Sequence, residues 1–264
     1  MDYFDLTQKF IEDCKNVTSL KQLAELFNVL SKKIGCTHFV CMSHVNALNP
    51  PDDAIVLSNY PIEWARYHSE QQYHRVDPVI HTCRSQLMPF KWSDDNWRYF
   101  LNLKQIDILS EAAEFQLIDG YTIPIHPPTG YPASLSVVFE AGKVDQKGLN
   151  ALHLVAFFLY ETALRMKTHQ VNIHKPQKNL TDRQRKILEF IAQGKSNWDI
   201  SAILSISENT VKDHITNIFK TLNVRTRQQA IVKGLFTGEI RYLDLEIDTP
   251  ENTNEKSGLV LLKD

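Results

Sequence analysis

The stretch NYPIEWARYHSEQQYHRVDPVI, residues 59 to 80, places polar aromatic side chains beside an acidic one. An indole only donates a hydrogen bond, an ionised carboxylate only accepts, and a phenol does both. Tyr60, Trp64 and Asp77 together therefore complement an amide or ester group flanked by apolar surface. Because no Lys or Arg joins this set, the pattern favours a neutral ligand over a carboxylate.

The same residues also have a purely structural explanation. Tyr60, Trp64 and His68 recur every fourth position, which puts them on one face of a helix and is typical of a stripe that packs on a core. Pro78 fits the first turn of a helix, and Asp77 directly before it is a suitable N-cap. Spacing alone therefore leaves both a binding pocket and a core-facing stripe open.

Hydrophobic patterning predicts the elements that position these residues. Strands are predicted at 37 to 44, 54 to 58, 121 to 126 and 134 to 140. Helices are predicted at 3 to 15, 19 to 33, 61 to 70, 78 to 86, 102 to 117 and about 145 to 167. The last helix contains LVAFFLY, which is apolar nearly all round. We therefore expect it to be covered on two sides, by the sheet and by a further surface such as a second subunit.

A polar segment without periodicity, THQVNIHKPQKN at 168 to 179, is interpreted as a linker. Short helices follow it in close order. Thr181 and Gln184 fit a capping box at the start of the first. Ser207 and Thr226 are suited to cap the third and the fourth.

The third of these short helices, ENTVKDHITNIFKTL, has its apolar residues on one face. Its other face carries hydrogen-bonding side chains, namely those of Asn209, Lys212, Asp213, Thr216 and Lys220. Such a helix after a short helix and the tight connection SIS is typical of a helix-turn-helix whose second helix enters the major groove. There Lys binds guanine, Asp accepts from cytosine, and Thr contacts a thymine methyl group or a phosphate. A solvated helix face is the alternative.

The charge distribution favours DNA binding over that alternative. The chain has a formal net charge of −2, yet residues 176 to 240 hold ten cationic and six anionic side chains. This leaves +4 on the C-terminal region and −6 on the rest. A compact basic module joined to an acidic one indicates a polyanionic partner for the module alone.

The composition argues against several other classes of protein. No apolar run is long enough to span a membrane, and the first residues lack a signal-peptide pattern. We therefore expect a cytoplasmic protein with no membrane partner. The cysteines, at 14, 36, 41 and 83, have no zinc-ligand spacing. We expect reduced thiols, no metal site and no cofactor.

The C-terminal region resembles the four-helix DNA-binding domain of LuxR-type regulators. The resemblance is carried by GKSNWDISAILSISENTVKDHITNIFKTL and the later RQQA. It implies that Lys212, Asp213 and Thr216 face bases, and that Lys195, Thr210, Lys220 and Arg225 lie near phosphates. Asn209 joins the predicted DNA-binding face. The implied partners are an inverted-repeat operator bound by a homodimer, and RNA polymerase.

The N-terminal region is similar to the autoinducer-binding domain of the same family. Tyr60, Trp64, Asp77-Pro78, PFKW, Gly120 and TIPIH carry this resemblance. It implies that Trp64 donates to a lactone carbonyl and that Asp77 accepts from an amide N–H. It further implies that Tyr60 and Ser136 hold the amide carbonyl and that Trp92 packs near the lactone ring. Thr122 and His68 complete the predicted ligand-binding set.

The implied fold class is α+β, an N-terminal α/β/α sandwich around an antiparallel sheet followed by a small all-α four-helix DNA-binding domain. The predicted boundaries are 1–167 for the autoinducer domain, 168–179 for the linker, 180–240 for the helix-turn-helix domain and 241–264 for a C-terminal extension. RYLDLEI in this extension alternates like a strand. The extension is interpreted as a disordered tail, with docking onto a domain as the alternative.

The predicted function is a ligand-responsive transcription regulator, not an enzyme, whose signal is an N-acyl homoserine lactone. His68 departs from the family pattern, which has Tyr at this position, and a shorter, ionisable imidazole replaces a phenol. One alternative is therefore a regulator that binds another neutral amphiphile, or no ligand. A second alternative is an esterase or lactonase with Ser134 or Ser136 as nucleophile, although no G-x-S-x-G motif surrounds either serine.

Overall fold

A computed structural model describes residues 2–140, 142–174 and 179–245. The chain divides into two compact units, Met1–Gln177 and Lys178–Asp264. The N-terminal unit combines an antiparallel sheet with helices, and the C-terminal unit is helical. The predicted α+β class is therefore confirmed. No helix in the described ranges has both the length and the hydropathy that a membrane span requires.

The described part of the N-terminal unit contains a five-stranded antiparallel sheet in the order β2-β1-β5-β4-β3. The strands are β1 (Cys36–Ser43), β2 (Val56–Ser58), β3 (Phe90–Lys91), β4 (Gly120–Ile125) and β5 (Ala133–Phe139). Every residue of β4 and β5 is buried. Both central strands are therefore covered on their two faces, as the middle layer of a sandwich.

Three helices cover one face of this sheet: α1 (Tyr3–Asp13), α2 (Leu20–Ile34) and α7 (Gln146–His174). Ser19 caps α2 through its side chain, and Gly35 ends the helix in the left-handed region with φ 111°. Phe27 of α2 contacts Phe39 of β1 edge to face, with ring centroids 4.8 Å apart. This layer forms a continuous apolar core without a predicted site residue.

The opposite face of the sheet is covered by α3 (Ile62–Glu70), α4 (Pro78–Thr82), α5 (Asp95–Arg98) and α6 (Leu103–Glu114). A second core of large aromatic residues lies here, including Trp64, Tyr73, Trp92 and Trp97. This layer also contains the cavity described below.

The C-terminal unit contains α8 (Asp182–Ala192), α9 (Asn197–Leu204), α10 (Glu208–Leu222) and α11 (Arg227–Thr237). The predicted capping box forms, because Thr181 accepts from the Gln184 N–H while the Gln184 side chain accepts from the Thr181 N–H. Ser207 and Thr226 cap α10 and α11 as predicted. The apolar stripe of α10 closes one core with α8, α9 and α11.

Several elements differ from the sequence predictions. Strand β3 and helix α5 were not predicted, because runs of two and four residues show no periodicity. Helix α7 continues through the N-terminal half of the predicted linker to His174, since the first helix-breaking residue is Pro176. The strand-like alternation of RYLDLEI does not produce a strand over Tyr242–Asp244, which form a 3-10 turn. The remaining extension, 246–264, lies outside the described residues.

Candidate functional site

A cavity of about 270 Å³ lies between the sheet and helices α3, α4 and α6. Most of its lining residues are aliphatic. They belong to β1, β2, the loop after β1, and helices α3, α4 and α6. Polar or aromatic side chains line it at Ser58, Tyr60, Trp64, His68, Asp77, Trp92, Ser134 and Ser136. Neither Lys nor Arg is among the lining residues. The cavity is therefore suited to a neutral molecule with a long apolar part.

Six of the seven residues predicted to bind a ligand line this cavity, and Thr122 does not. Thr122 is fully buried in β4, where its hydroxyl contacts two residues that do line the cavity. Direct ligand contact by Thr122 is therefore not supported by the structure, since Trp92 and Ser136 stand in front of it. The strand position alone did not reveal this shielding.

Asp77 has two roles in the structure. Its Oδ1 atom accepts from the backbone N–H groups of Val79 at 2.8 Å and Ile80 at 3.4 Å, which is the predicted N-cap. Its Oδ2 atom lies 2.9 Å from His68 Nε2, and both side chains are about 85% buried, with exposed fractions of 15% for His68 and 13% for Asp77. A carboxylate has about four lone-pair sites. Three have protein partners, which leaves one for a ligand N–H.

A hydrogen-bonded chain connects Trp92 to Ser136. Trp92 Nε1 donates to Thr122 Oγ1 over 2.8 Å, and Thr122 Oγ1 lies 2.9 Å from Ser136 Oγ. Either hydroxyl can donate in this second contact. In one of the two arrangements, Thr122 accepts from Trp92 and donates its own proton to Ser136. The Ser136 hydroxyl then has its own proton available to a carbonyl oxygen in the cavity.

The Tyr60 hydroxyl is a second donor that can reach a ligand oxygen in the cavity. Its hydroxyl oxygen is buried and has no hydrogen-bond partner in the described part of the chain. Burial, and secondarily the charge of Asp77, raises the Tyr60 pKa, so the phenol keeps its proton. A buried polar atom without a partner is costly. An acceptor placed in the cavity would remove that cost.

Trp64 has both of the roles that the sequence left open. It is 6% exposed and packs against Phe115 and His68, with ring centroids 5.5 and 5.6 Å away. The same residue lines the cavity, and no described residue accepts from its indole N–H. Pro61 forms the N-cap of α3, the helix that contains Trp64, without a side-chain hydrogen bond.

Gly120 provides the space that the Trp92 ring occupies. A Cβ atom added at Gly120 would lie 2.8 Å from the Trp92 ring and 2.8 Å from the Val137 carbonyl oxygen. Both distances are shorter than van der Waals contact. Glycine at this strand position therefore lets the Trp92 indole pack against the β4 backbone, where its Nε1 donates to Thr122 Oγ1.

Two residues outside the predicted ligand-binding set, Ser134 and His44, form a further polar contact at the cavity. Ser134 lines the cavity two residues before Ser136, and its Oγ lies 3.0 Å from His44 Nε2. The signal for Ser134 was the period of two along β5, which puts it on the same face as Ser136. His44 follows the end of β1 and had no motif to identify it.

The C-terminal unit presents the predicted DNA-contacting residues on its surface. All eight are exposed: Lys195, Asn209, Thr210, Lys212, Asp213, Thr216, Lys220 and Arg225. The buried stripe of Val211, Ile215 and Ile218 turns the opposite side of α10 outward. Asn209, Lys212 and Asp213 make no side-chain hydrogen bond with a described residue, so their polar groups are available to base edges.

The connection between α9 and α10 has helix-turn-helix geometry. Ser205 takes the left-handed conformation at φ 51° and ends α9, and Ser207 begins α10 two residues later. Arg227 of α11 fixes the start of α9, because it donates to Asn197 Oδ1 at 2.9 Å and to the Lys195 carbonyl at 3.0 Å. No sequence pattern predicted this contact, because it joins residues at least 30 positions apart.

A neutral-ligand cavity in one unit and a helix-turn-helix in the other define a class of protein, the transcription regulators that respond to a small molecule. Comparison with known proteins gives the family. Residues 19–163 match the autoinducer binding domain, and residues 178–233 match the bacterial regulatory proteins of the luxR family. The chain belongs to the LuxR family and is a DNA-binding transcription regulator with an autoinducer-binding domain.

Individual relatives extend over most of the chain. The transcriptional activator EchR of Dickeya chrysanthemi is 32% identical over 70% of this chain and 78% of its own length. The transcriptional activator LuxR of Aliivibrio fischeri is 27% identical over 89% of this chain and 95% of its own. A structure of SdiA in complex with octanoyl-rac-glycerol has a TM-score of 0.73 at 21% identity, and covers 92% of this chain and 98% of SdiA.

Proposed function

We propose that the signal is an N-acyl homoserine lactone whose head group lies among Tyr60, Trp64, Asp77 and Ser136. The observation that carries this proposal is the donor and acceptor content of the cavity. Two hydroxyl protons and one indole proton are available to ligand oxygens, and one carboxylate lone pair is available to a ligand N–H. An amide joined to a lactone supplies two carbonyl acceptors and one N–H donor.

The remainder of the cavity suits an acyl chain. Apolar side chains from β1 and α6, such as Val40, Met42 and Ile108, line it on opposite sides. Each buried methylene group contributes about 0.8 kcal/mol. The head group would therefore determine orientation, and the chain would supply much of the affinity.

Ligand enclosure is proposed to stabilise the folded N-terminal unit by mass action. At a ligand concentration one hundred times the dissociation constant, the stabilisation is about 2.7 kcal/mol. The signal would thereby increase the amount of folded regulator.

We further propose that the chain binds an inverted-repeat operator as a homodimer. The exposed face of α10 supports base contacts by Lys212, Asp213 and Thr216.

Helix α7 supports association, because Leu154, Phe157 and Phe158 are 60%, 48% and 41% exposed on its surface. Covering such side chains is favourable at about 25 cal/mol per Å². Sedimentation with and without lactone tests this, and a monomer in both states contradicts it.

The proposed signal is tested by thermal melting of the full chain with a panel of acyl homoserine lactones and monoacylglycerols. We expect the lactones to raise Tm in a concentration-dependent manner. A rise with monoacylglycerols alone would replace the lactone by another neutral amphiphile. Operator binding that persists while no compound raises Tm would support a regulator without a ligand.

A second measurement separates binding from catalysis. Mass spectrometry of the small molecule recovered from the protein shows whether the lactone ring is intact. We expect one equivalent of unchanged lactone per chain. Repeated turnover to the ring-opened acid would support the esterase or lactonase alternative instead.

A further inference from the structure

The cationic side chains of the C-terminal unit fall into two groups. Residues 179–240 contain nine of them. Five are engaged by other groups of the unit, namely Arg183, Arg185, Lys186, Arg227 and Lys233. The other four form no salt bridge and no side-chain hydrogen bond with a described residue, and they are Lys195, Lys212, Lys220 and Arg225. All four are exposed members of the predicted DNA-contacting set, so this face carries the positive charge that the fold leaves unpaired.

The C-terminal extension carries the opposite charge. Residues 246–255, EIDTPENTNE, contain four acidic side chains and no cationic one. We call these residues the acidic segment, and they lie outside the described part of the chain. Opposite charges attract when one chain can bring them close together. The acidic segment therefore has the sign that the DNA-contacting face requires.

The fold fixes the point from which the extension leaves the C-terminal unit. Glu239 accepts from the Leu180 N–H at 3.4 Å and from the Arg185 guanidinium at 3.1 Å. Ile240 follows it and is 1% exposed, in the core of the same unit. The acidic segment begins six residues later. It is therefore tethered to the unit whose surface carries the unpaired cations.

The acidic segment is long enough to reach the DNA-contacting face. A unit of about sixty residues is about 27 Å across, and the ten residues of the segment span up to about 35 Å. A short tether also gives an effective concentration in the millimolar range, so weak contacts are sufficient. Each exposed ion pair changes an equilibrium constant by about 1.5- to fivefold. Three or four such pairs would together favour the covered face by about three- to thirtyfold.

We propose that the acidic segment occupies the DNA-contacting face of its own chain when no DNA is bound, and that DNA must displace it. Its carboxylates would take the places of DNA phosphates beside Lys212, Lys220 and Arg225. The apparent affinity for DNA is then the intrinsic affinity multiplied by the fraction of chains in which the face is open. This autoinhibitory contact is independent of the small-molecule signal.

The test replaces the four acids of the segment by their amides in the full chain. The quadruple variant combines Glu246→Gln, Asp248→Asn, Glu251→Gln and Glu255→Gln. Fluorescence anisotropy measures binding to a short DNA duplex of arbitrary sequence, which requires neither an operator nor a lactone. At low salt concentration, we expect the variant to bind about three- to thirtyfold more tightly than the wild-type chain. Equal affinities, or no binding by either chain, overturn the proposal.

The salt dependence distinguishes displacement of the segment from a change in the DNA contacts themselves. Ion pairs between exposed groups weaken as salt concentration rises. The gain in affinity should therefore shrink with added salt. The slope of log affinity against log salt concentration should be steeper in the quadruple variant than in the wild-type chain. A gain that does not depend on salt overturns the ionic contact.

Two control variants locate the effect. The first removes the same charge from exposed side chains of the N-terminal unit, by Glu12→Gln, Glu25→Gln, Glu70→Gln and Asp107→Asn together. We expect it to change DNA affinity by less than about twofold, because distant charges are screened. The second deletes residues 259–264, which removes the apolar run LVLL and no net charge, and should bind DNA as the wild-type chain does. The full gain in either control overturns the proposal.

Cross-linking with a carbodiimide reports the contact directly, because the reagent joins a carboxylate to a neighbouring lysine amine. Mass spectrometry of the cross-linked monomer identifies the joined residues. We expect links from the acidic segment to Lys212 or Lys220, and we expect them to disappear when the DNA duplex is added. The absence of these links, or links confined to Lys186 and Lys233, overturns the proposal.

Discussion

Replacement of Asp77 distinguishes its role as a helix cap from its proposed role in binding. Asp77→Ala removes both the N-cap of α4 and the carboxylate that faces the cavity. Asp77→Ser keeps an N-cap of equal preference but lacks the oxygen that contacts His68 Nε2 at 2.9 Å. The pair of variants therefore separates the two roles at one position.

The contacts of Asp77 give the expected changes in stability and in ligand affinity. Loss of an N-cap costs about 1 kcal/mol, so Asp77→Ala should unfold about 2 to 4 °C below Asp77→Ser in the absence of ligand. Both variants lose the charged hydrogen bond to the ligand N–H, which contributes about 1.5 to 3 kcal/mol. Lactone binding should therefore weaken roughly ten- to hundredfold in both.

Differential scanning fluorimetry measures both effects in one experiment. With lactone at one hundred times the wild-type dissociation constant, wild type should gain roughly 5 to 10 °C. Each variant should gain only about 1 to 6 °C at the same concentration, which is between about 15% and 50% of the wild-type gain. A full ligand-induced gain in Asp77→Ser would mean that the carboxylate serves only as a cap. That result would refute the head-group assignment.

Three further predictions concern other parts of the chain. Gly120→Ala should displace the Trp92 ring, cost about 1 to 3 kcal/mol in unfolding free energy, and shift the tryptophan fluorescence. Lys212→Ala should relax the base preference in operator-binding assays. Lys220→Ala should weaken binding to all DNA sequences alike and reduce by about 1 the slope of log affinity against log salt concentration. The same effect from both substitutions would contradict the proposed placement of α10 in the major groove. Because the folded-state pKa of His44 is lowered from 6.5 to about 4, the unfolded chain binds more protons in this window, so stability should fall as pH decreases from 6.5 to 4. His44→Gln should make the pH dependence of urea unfolding shallower by up to about 1.4 kcal/mol per pH unit, and an unchanged profile would contradict the assignment.

Much of the fold could be predicted from the sequence because its signals are periodic. The alternation in β1 and the apolar stripe of α10 each reflect a single buried face. The caps at Ser207 and Thr226 are chemical signals confined to a few residues. Strand β3 has only two residues and pairs with β4, so its existence depends on a partner thirty positions away.

The candidate site was predictable to the extent that its residues belong to motifs. Six of seven predicted ligand-binding residues line one cavity, but Thr122 lies behind Trp92 and Ser136. This shielding depends on how the end of β3, β4 and β5 pack together, and no single segment of the sequence contains that information. The His44 to Ser134 contact joins residues ninety positions apart, so spacing could not reveal it.

The alternation along β5 gives the protein two surfaces that can change separately. Ser134 and Ser136 face the cavity, whereas Leu135 and Val137 belong to the core on the opposite side. A substitution at either serine alters the shape and polarity that a new signal would meet, without removing an atom from that opposite core. A change in ligand specificity therefore need not lower the stability of the folded N-terminal unit.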